Sequence, residues 1–169
     1  LLAVAVDEQG EQFGVAHVDI TTGEFRVTQV VGLGQVESEL ASLRPREILF
    51  ADTLSGTLLR QQLAAVVDGI MCNRLPEWVF ETDYAAEQLR TFFGVTGLQS
   101  FGCQDLPLAQ QASSAVLFYL QQTQKDELRH LRPLQTYHTR HYMVLDDATR
   151  RNLELTATLQ DGKKRGSLL

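Results

Sequence analysis

The opening stretch Leu1–Val30, LLAVAVDEQGEQFGVAHVDITTGEFRVTQV, decides the fold. It contains three short runs rich in Val, Ile and Phe: Leu1–Asp7, Phe13–Ile20 and Glu24–Val30. The polar segments Glu8–Gln12 and Thr21-Thr22-Gly23 separate them. Runs of this length and punctuation are strands. Connections this short join antiparallel neighbours, so the three form a meander. In the third, Phe25 and Val27 alternate with Glu24, Arg26 and Thr28, the period of a half-buried strand. The first is apolar throughout, which predicts burial on both faces.

Beyond Val30 the period changes. After the Gly32-Leu33-Gly34 break, Val36, Leu40 and Leu43 form a helical stripe that stops before Pro45. Glu47–Ala51 (EILFA) is a compact strand. Leu54, Leu58, Leu59, Leu63, Val66 and Val67 then fall on one face of a second helix, and Gly69–Cys72 is a fifth strand. Asp83–Phe93 is a third helix, with Asp83 placed to cap it, Leu89, Phe92 and Phe93 inward and Gly94 at its end. A fourth accepts Pro107 at its start and buries Leu108, Ala112, Ala115, Val116, Tyr119 and Leu120. The order β-β-β-α-β-α-β followed by helices implies a mixed five-stranded sheet with flanking helices, the α/β architecture of ribonuclease H-like domains. From Gln124 to His141 periodicity is lost and Arg and His accumulate, as in a joining segment. Tyr142–Leu145 is a short strand, and Asp146-Asp147 starts a helix that runs to about Gln160.

The 169 residues suffice for a domain with a real core. No apolar run approaches the roughly 20 residues of a membrane span, and the start lacks a signal-peptide pattern, so a cytoplasmic protein is expected. Cys72 and Cys103 are isolated and read as small core hydrophobes. The net charge of −6 is uneven: residues 1–124 hold 6 basic against 15 acidic side chains, and residues 125–169 hold 9 against 6. DNA binding draws on Lys and Arg that displace counterions, so direct DNA contact by the first 124 residues is disfavoured. The first residue is not Met and the last four are Gly-Ser-Leu-Leu, which reads as an excised piece of a longer protein.

Several motifs carry a resemblance. Val18–Phe25 (VDITTGEF), Pro45–Phe50 (PREILF), Leu98–Gly102 (LQSFG), Tyr119–Gln124 (YLQQTQ), and above all Asp146–Leu155 (DDATRRNLEL) with Gly166–Leu169 (GSLL), occur in the order and spacing of the MutS DNA mismatch-repair family. The chain resembles that family's connector domain over residues 1–141, with 124–141 as joining segment, and the truncated start of its core and lever domain over 142–169. The resemblance implies a non-catalytic connector. It would relay conformational change between mismatch-reading and ATP-hydrolysing parts and offer a surface to a MutL-type partner. It also implies a homodimeric parent that binds mismatched duplex DNA and uses ATP and magnesium. No cofactor is expected in this piece, because no GxxxxGK[ST] loop is present and Gly162-Lys163-Lys164 lacks the upstream glycine and the hydroxyl residue.

Other residues combine a candidate chemistry with an ordinary structural role. Asp7, Glu39 and Asp52 are placed like the carboxylates of a metal-dependent nuclease, which must converge to hold divalent ions. A turn, a helix edge and a helix start account for the same residues. The nuclease is the alternative reading. His130, His138 and His141 are too loosely spaced for a zinc site. Arg129, Arg132 and Arg140 interleaved with Tyr137 and Tyr142 suit a solvated joint better than a nucleic-acid surface. Glu87 and Gln88, on the third helix away from Leu89, Phe92 and Phe93, are the candidate partner-binding residues.

Overall fold

The meander forms as its sequence predicts. β1 (Leu2–Val6), β2 (Gln12–Asp19) and β3 (Glu24–Val31) are antiparallel neighbours in the computed structural model. It describes residues 1–124 and 128–138, all within the unit Leu1–Thr139. Short polar side chains close the turns. Asp7 accepts the amides of Glu11 and Gln12 at 2.8 and 3.1 Å, and Asp19 accepts the amide and hydroxyl of Thr21 at 2.9 and 2.6 Å. These bonds satisfy backbone donors that a two-stranded turn leaves open.

Two right-sized connections then add parallel strands. α1 (Leu33–Leu43) leads to β4 (Glu47–Ala51), which pairs with β1, and α2 (Leu54–Gln62) leads to β5 (Met71–Leu75), which pairs with β4. The β-β-β-α-β-α-β order, a mixed sheet with flanking helices, is the α/β architecture the sequence implies. α3 (Thr82–Phe93) and α4 (Pro107–Thr123) follow. No described helix is long and apolar enough to cross a membrane.

The sheet buries both faces, each against its own helices. Leu2, Val4, Phe13, Val15, Ile48 and Phe50 meet Val36 and Leu40 of α1 and Leu59 of α2. On the opposite face Ala3, Ala5, Ala16, Phe25 and Val27 meet α3 and α4. Small residues there let α4 come close: a Cβ on Gly14 would sit 1.9 Å from the Leu108 carbonyl oxygen. α4 begins without a side-chain cap of its own, and Gln29 of β3 fills that role, accepting the amides of Leu108 and Ala109 at 3.1 and 3.4 Å. Hydroxyls carried inside are also paired, Ser113 with the Ala109 carbonyl and Ser114 with that of Val79.

Several expectations need correction. The sheet has six strands, in the order β5-β4-β1-β2-β3-β6. β6 (Gln135–Thr136) lies in the supposed joining segment and pairs parallel with Arg26 and Val27. That segment is strapped to the domain, with Leu128, Leu131 and Leu134 buried. α2 ends at Gln62, so Leu63 and Val67 reach the core from turns, while Leu54 and Leu58 are 76% and 49% exposed. The fifth strand starts at Met71, later than expected. Asp83 lies in the first turn of α3 and Glu81 takes the cap position without a side-chain bond. Phe92 and Phe93 are only partly buried, as is Tyr119, and Thr28 is buried. The expected strand at 142–145, the helix from Asp146, and the domain over 142–169 lie outside the described residues.

Candidate partner-docking site

α3 carries the two residues singled out as partner-binding. Its first turn holds Asp83, whose charge suits the positive helix end, and its last turn holds Arg90 and ends on Gly94 at φ 65°. Ala85 and Leu89 point into the core. Glu87 is exposed and accepts from Arg90 at 2.8 Å, an i,i+3 pair on the helix surface. Gln88 is half-buried and committed to α4: its Oε1 accepts from Ser114 at 2.5 Å and its Nε2 donates to Gln121 at 3.3 Å. Glu87 therefore stands outward as expected, whereas Gln88 fastens two helices together.

An exposed aromatic cluster continues this surface. Trp78, in the 3-10 turn Glu77–Phe80, is 44% exposed, although Val79 and Phe80 beside it are buried. Its ring meets Tyr84 of α3 at 4.9 Å and Phe118 of α4 at 5.2 Å, both near perpendicular. Tyr84 lies one helical turn before Gln88, which places the indole and the Gln88–Gln121 pair on adjoining patches. Sequence reasoning missed this cluster because 78, 84 and 118 share no period. Its one signal was an indole following Pro76 in a connection. Behind it, Glu47 of β4 accepts from both Tyr119 and Asn73, tying α4 to the β4–β5 edge.

The carboxylates of the nuclease alternative are not brought together. Asp7 is occupied by its turn, Asp52 pairs with exposed Arg74 at 3.1 Å, and Glu39 on α1 accepts from Tyr137 at 2.5 Å. The cleft beside Asp7, about 390 Å³, is lined by Glu8, Gln12, Gln29 and Thr82 among others, and neither Glu39 nor Asp52 borders it. Among the described residues no three His, Cys, Asp or Glu side chains are grouped to hold a metal ion. His130 and His138 are exposed, and His141, Arg140 and Tyr142 lie outside the described residues.

Two titratable groups, one buried and one partly buried, are structural. Burial pushes the Cys103 thiol up to about 11, which makes it a poor nucleophile. His17 on β2 is partly buried, and burial pulls its imidazole below the usual histidine value against the opposing pull of Glu24. Its Nδ1 has no hydrogen-bond partner among the described residues.

Comparison with known proteins supplies what geometry alone does not. Residues 1–132 match the family described as MutS domain II. The chain is 38% identical to the DNA mismatch repair protein MutS of Symbiobacterium thermophilum, covering all of this chain and 19% of that protein. It is 40% identical to the protein of the same name from Acaryochloris marina, covering 95% of this chain and 19% of that one. For that of Microcystis aeruginosa the figures are 39%, 98% and 20%. The chain thus spans 19–20% of the length of these relatives. Among solved structures, the Thermus thermophilus RuvC structure aligns over 73% of this chain and 98% of its own, with a TM-score of 0.44 and 11% identity.

Proposed function

Because this chain belongs to the MutS family of DNA mismatch-repair proteins and carries its domain II, we propose that it relays conformational change within a mismatch-recognition protein. The relay runs between mismatch-binding and ATP-hydrolysing parts, and the α3 surface around Glu87 receives a MutL-type partner. Mismatched duplex DNA, ATP with magnesium, and assembly into a homodimer belong in this proposal to the full-length parent. In this reading the chain is a non-catalytic connector.

The observation that carries the relay is the strap formed by residues 128–138. Arg132 donates its amide to the Gly23 carbonyl and Tyr137 donates to that of Val27, so the segment runs along β3. Thr136 bonds the Phe101 carbonyl at 2.7 Å, and the Tyr137 hydroxyl reaches Glu39 on the opposite helix layer. A segment held at both sheet faces is mechanically joined to the domain, and a rotation of the domain is passed along the chain.

The test uses the full-length parent with Tyr137→Phe and Glu39→Gln together. Mismatch affinity and basal ATP hydrolysis should persist, while the stimulation of nucleotide exchange by a mismatch should fall several-fold. Unaltered stimulation would remove the strap from the relay. The docking part is tested by Glu87→Lys, which should weaken recruitment of a MutL-type protein.

A further inference from the structure

We propose that Trp78 is the anchor for a cationic segment of a protein partner, with an Arg or Lys side chain lying on the aromatic cluster inside an acidic rim. This rests on the docking reading above and adds the chemistry of what docks. Trp78 is the single Trp of the chain and stays 44% exposed while its neighbours Val79 and Phe80 turn inward. Tyr84 and Phe118 hold it edge-on from two different helices, so the indole is fixed before anything binds. A pre-ordered aromatic side chain loses little freedom on association, which is why such residues anchor interfaces.

The surroundings select the sign of the partner. Glu77, Glu81, Asp83 and Glu87 are all exposed between positions 77 and 87, and the cations that flank this stretch in sequence, Arg74 and Arg90, are engaged by Asp52 and Glu87. Among the described residues no basic side chain pairs with Glu77, Glu81 or Asp83. An ammonium or guanidinium group at this spot gains from the ring face and from the carboxylates together. A nucleic-acid backbone is repelled by the same charges. The Gln88–Gln121 pair borders the cluster and offers neutral hydrogen-bonding groups for the partner's backbone.

The experiment titrates a MutL-type protein onto the full-length parent loaded with ATP on mismatched DNA, at low and at physiological salt. One variant is Trp78→Ala. A second, Glu77→Lys with Glu81→Lys and Asp83→Lys, leaves the aromatic packing intact and serves if the first loosens the fold. Glu37→Lys with Asp68→Lys and Asp105→Lys, all outside residues 77–90, makes the same change in net charge and controls for it. Both site variants should weaken binding by about tenfold or more, and the triple reversal should also flatten or invert the salt dependence. The control should bind like the wild type. Binding by the folded triple variant with unchanged affinity and salt dependence would overturn the cationic anchor and leave docking elsewhere on α3 standing. Failure of the wild type itself to bind would overturn the docking reading, and this inference with it.

Discussion

The two faces of the sheet are covered differently. On one, Ala3, Ala5, Gly14 and Ala16 admit α4 so closely that it is buried along most of its length, Ser113 and Ser114 included. On the other, larger side chains such as Leu2, Phe13 and Phe50 meet two short helices, and α2 leaves Leu54 and Leu58 in solvent. Small residues on a sheet let a long helix lock in place, whereas bulky ones fill space under shorter helices. The α4 face is thus the rigid support for the surface formed by α3 and Trp78, and the α1–α2 face is the looser cover.

The sharpest way to break this contrast is to force the close face apart. Gly14→Val puts a branched side chain where a Cβ alone would overlap the Leu108 carbonyl. The cost should be about 3 kcal/mol or more, a fall in melting temperature of about 10 °C, read by calorimetry. On the looser face, Leu58→Gln should change stability by less than about 0.5 kcal/mol. Similar melting temperatures for the two variants would abolish the distinction.

The strap gives the next largest effect. Gly23 has φ 72° and a Cβ there would lie 2.1 Å from the His130 carbonyl oxygen. Gly23→Ala therefore combines backbone strain with displacement of residues 128–138, for a loss of about 2 kcal/mol. Hydrogen exchange should show the Arg132 and Tyr137 amides losing protection while those of β1 keep theirs.

α3 supplies a smaller internal comparison. Gln88→Lys removes two side-chain partners at α4 and should cost about 1 kcal/mol. Glu87→Lys loses only an exposed ion pair and should cost less than about 0.5 kcal/mol. Chemical denaturation of the two single variants resolves this difference, and equal midpoints would return Gln88 to the outward face.

The smallest effect concerns pH. Burial lowers the folded-state value of His17, so below the unfolded value of about 6.5 the unfolded chain takes up the proton first. Stability contributed by the neutral imidazole is complete above that pH and declines as the pH falls through it. Glu24 and Asp19 favour protonation and keep the effect modest, while Arg26 acts in the same direction as burial. His17→Gln should flatten the slope of stability between about pH 7 and pH 5, and an unchanged slope would assign it to other groups.

These residues also mark where the sequence was legible. The meander, EILFA and the Pro107 helix carry strong periods and clear punctuation, so their placement follows from local chemistry. β6 was not legible, because two residues of strand have no period and form only where β3 offers an open edge. The reach of α2 was overread for a related reason. Leu63 and Val67 keep helical spacing but enter the core from turns, and spacing alone does not distinguish the two routes. At the site, outward Glu87 followed from helical geometry. The inward turn of Gln88 depends on Ser114 and Gln121 of α4, and Trp78 became visible only through rings contributed by Tyr84 and Phe118.

Hydrogen exchange on the full-length parent tests the relay most directly, comparing the protein free, bound to mismatched DNA, and bound to mismatched DNA with ATP. If the strap carries motion, the amides of Arg132 and Tyr137 change protection between these states while those of Ala3 to Ala5 in β1 stay constant. Identical protection of the strap in all three states would contradict the relay.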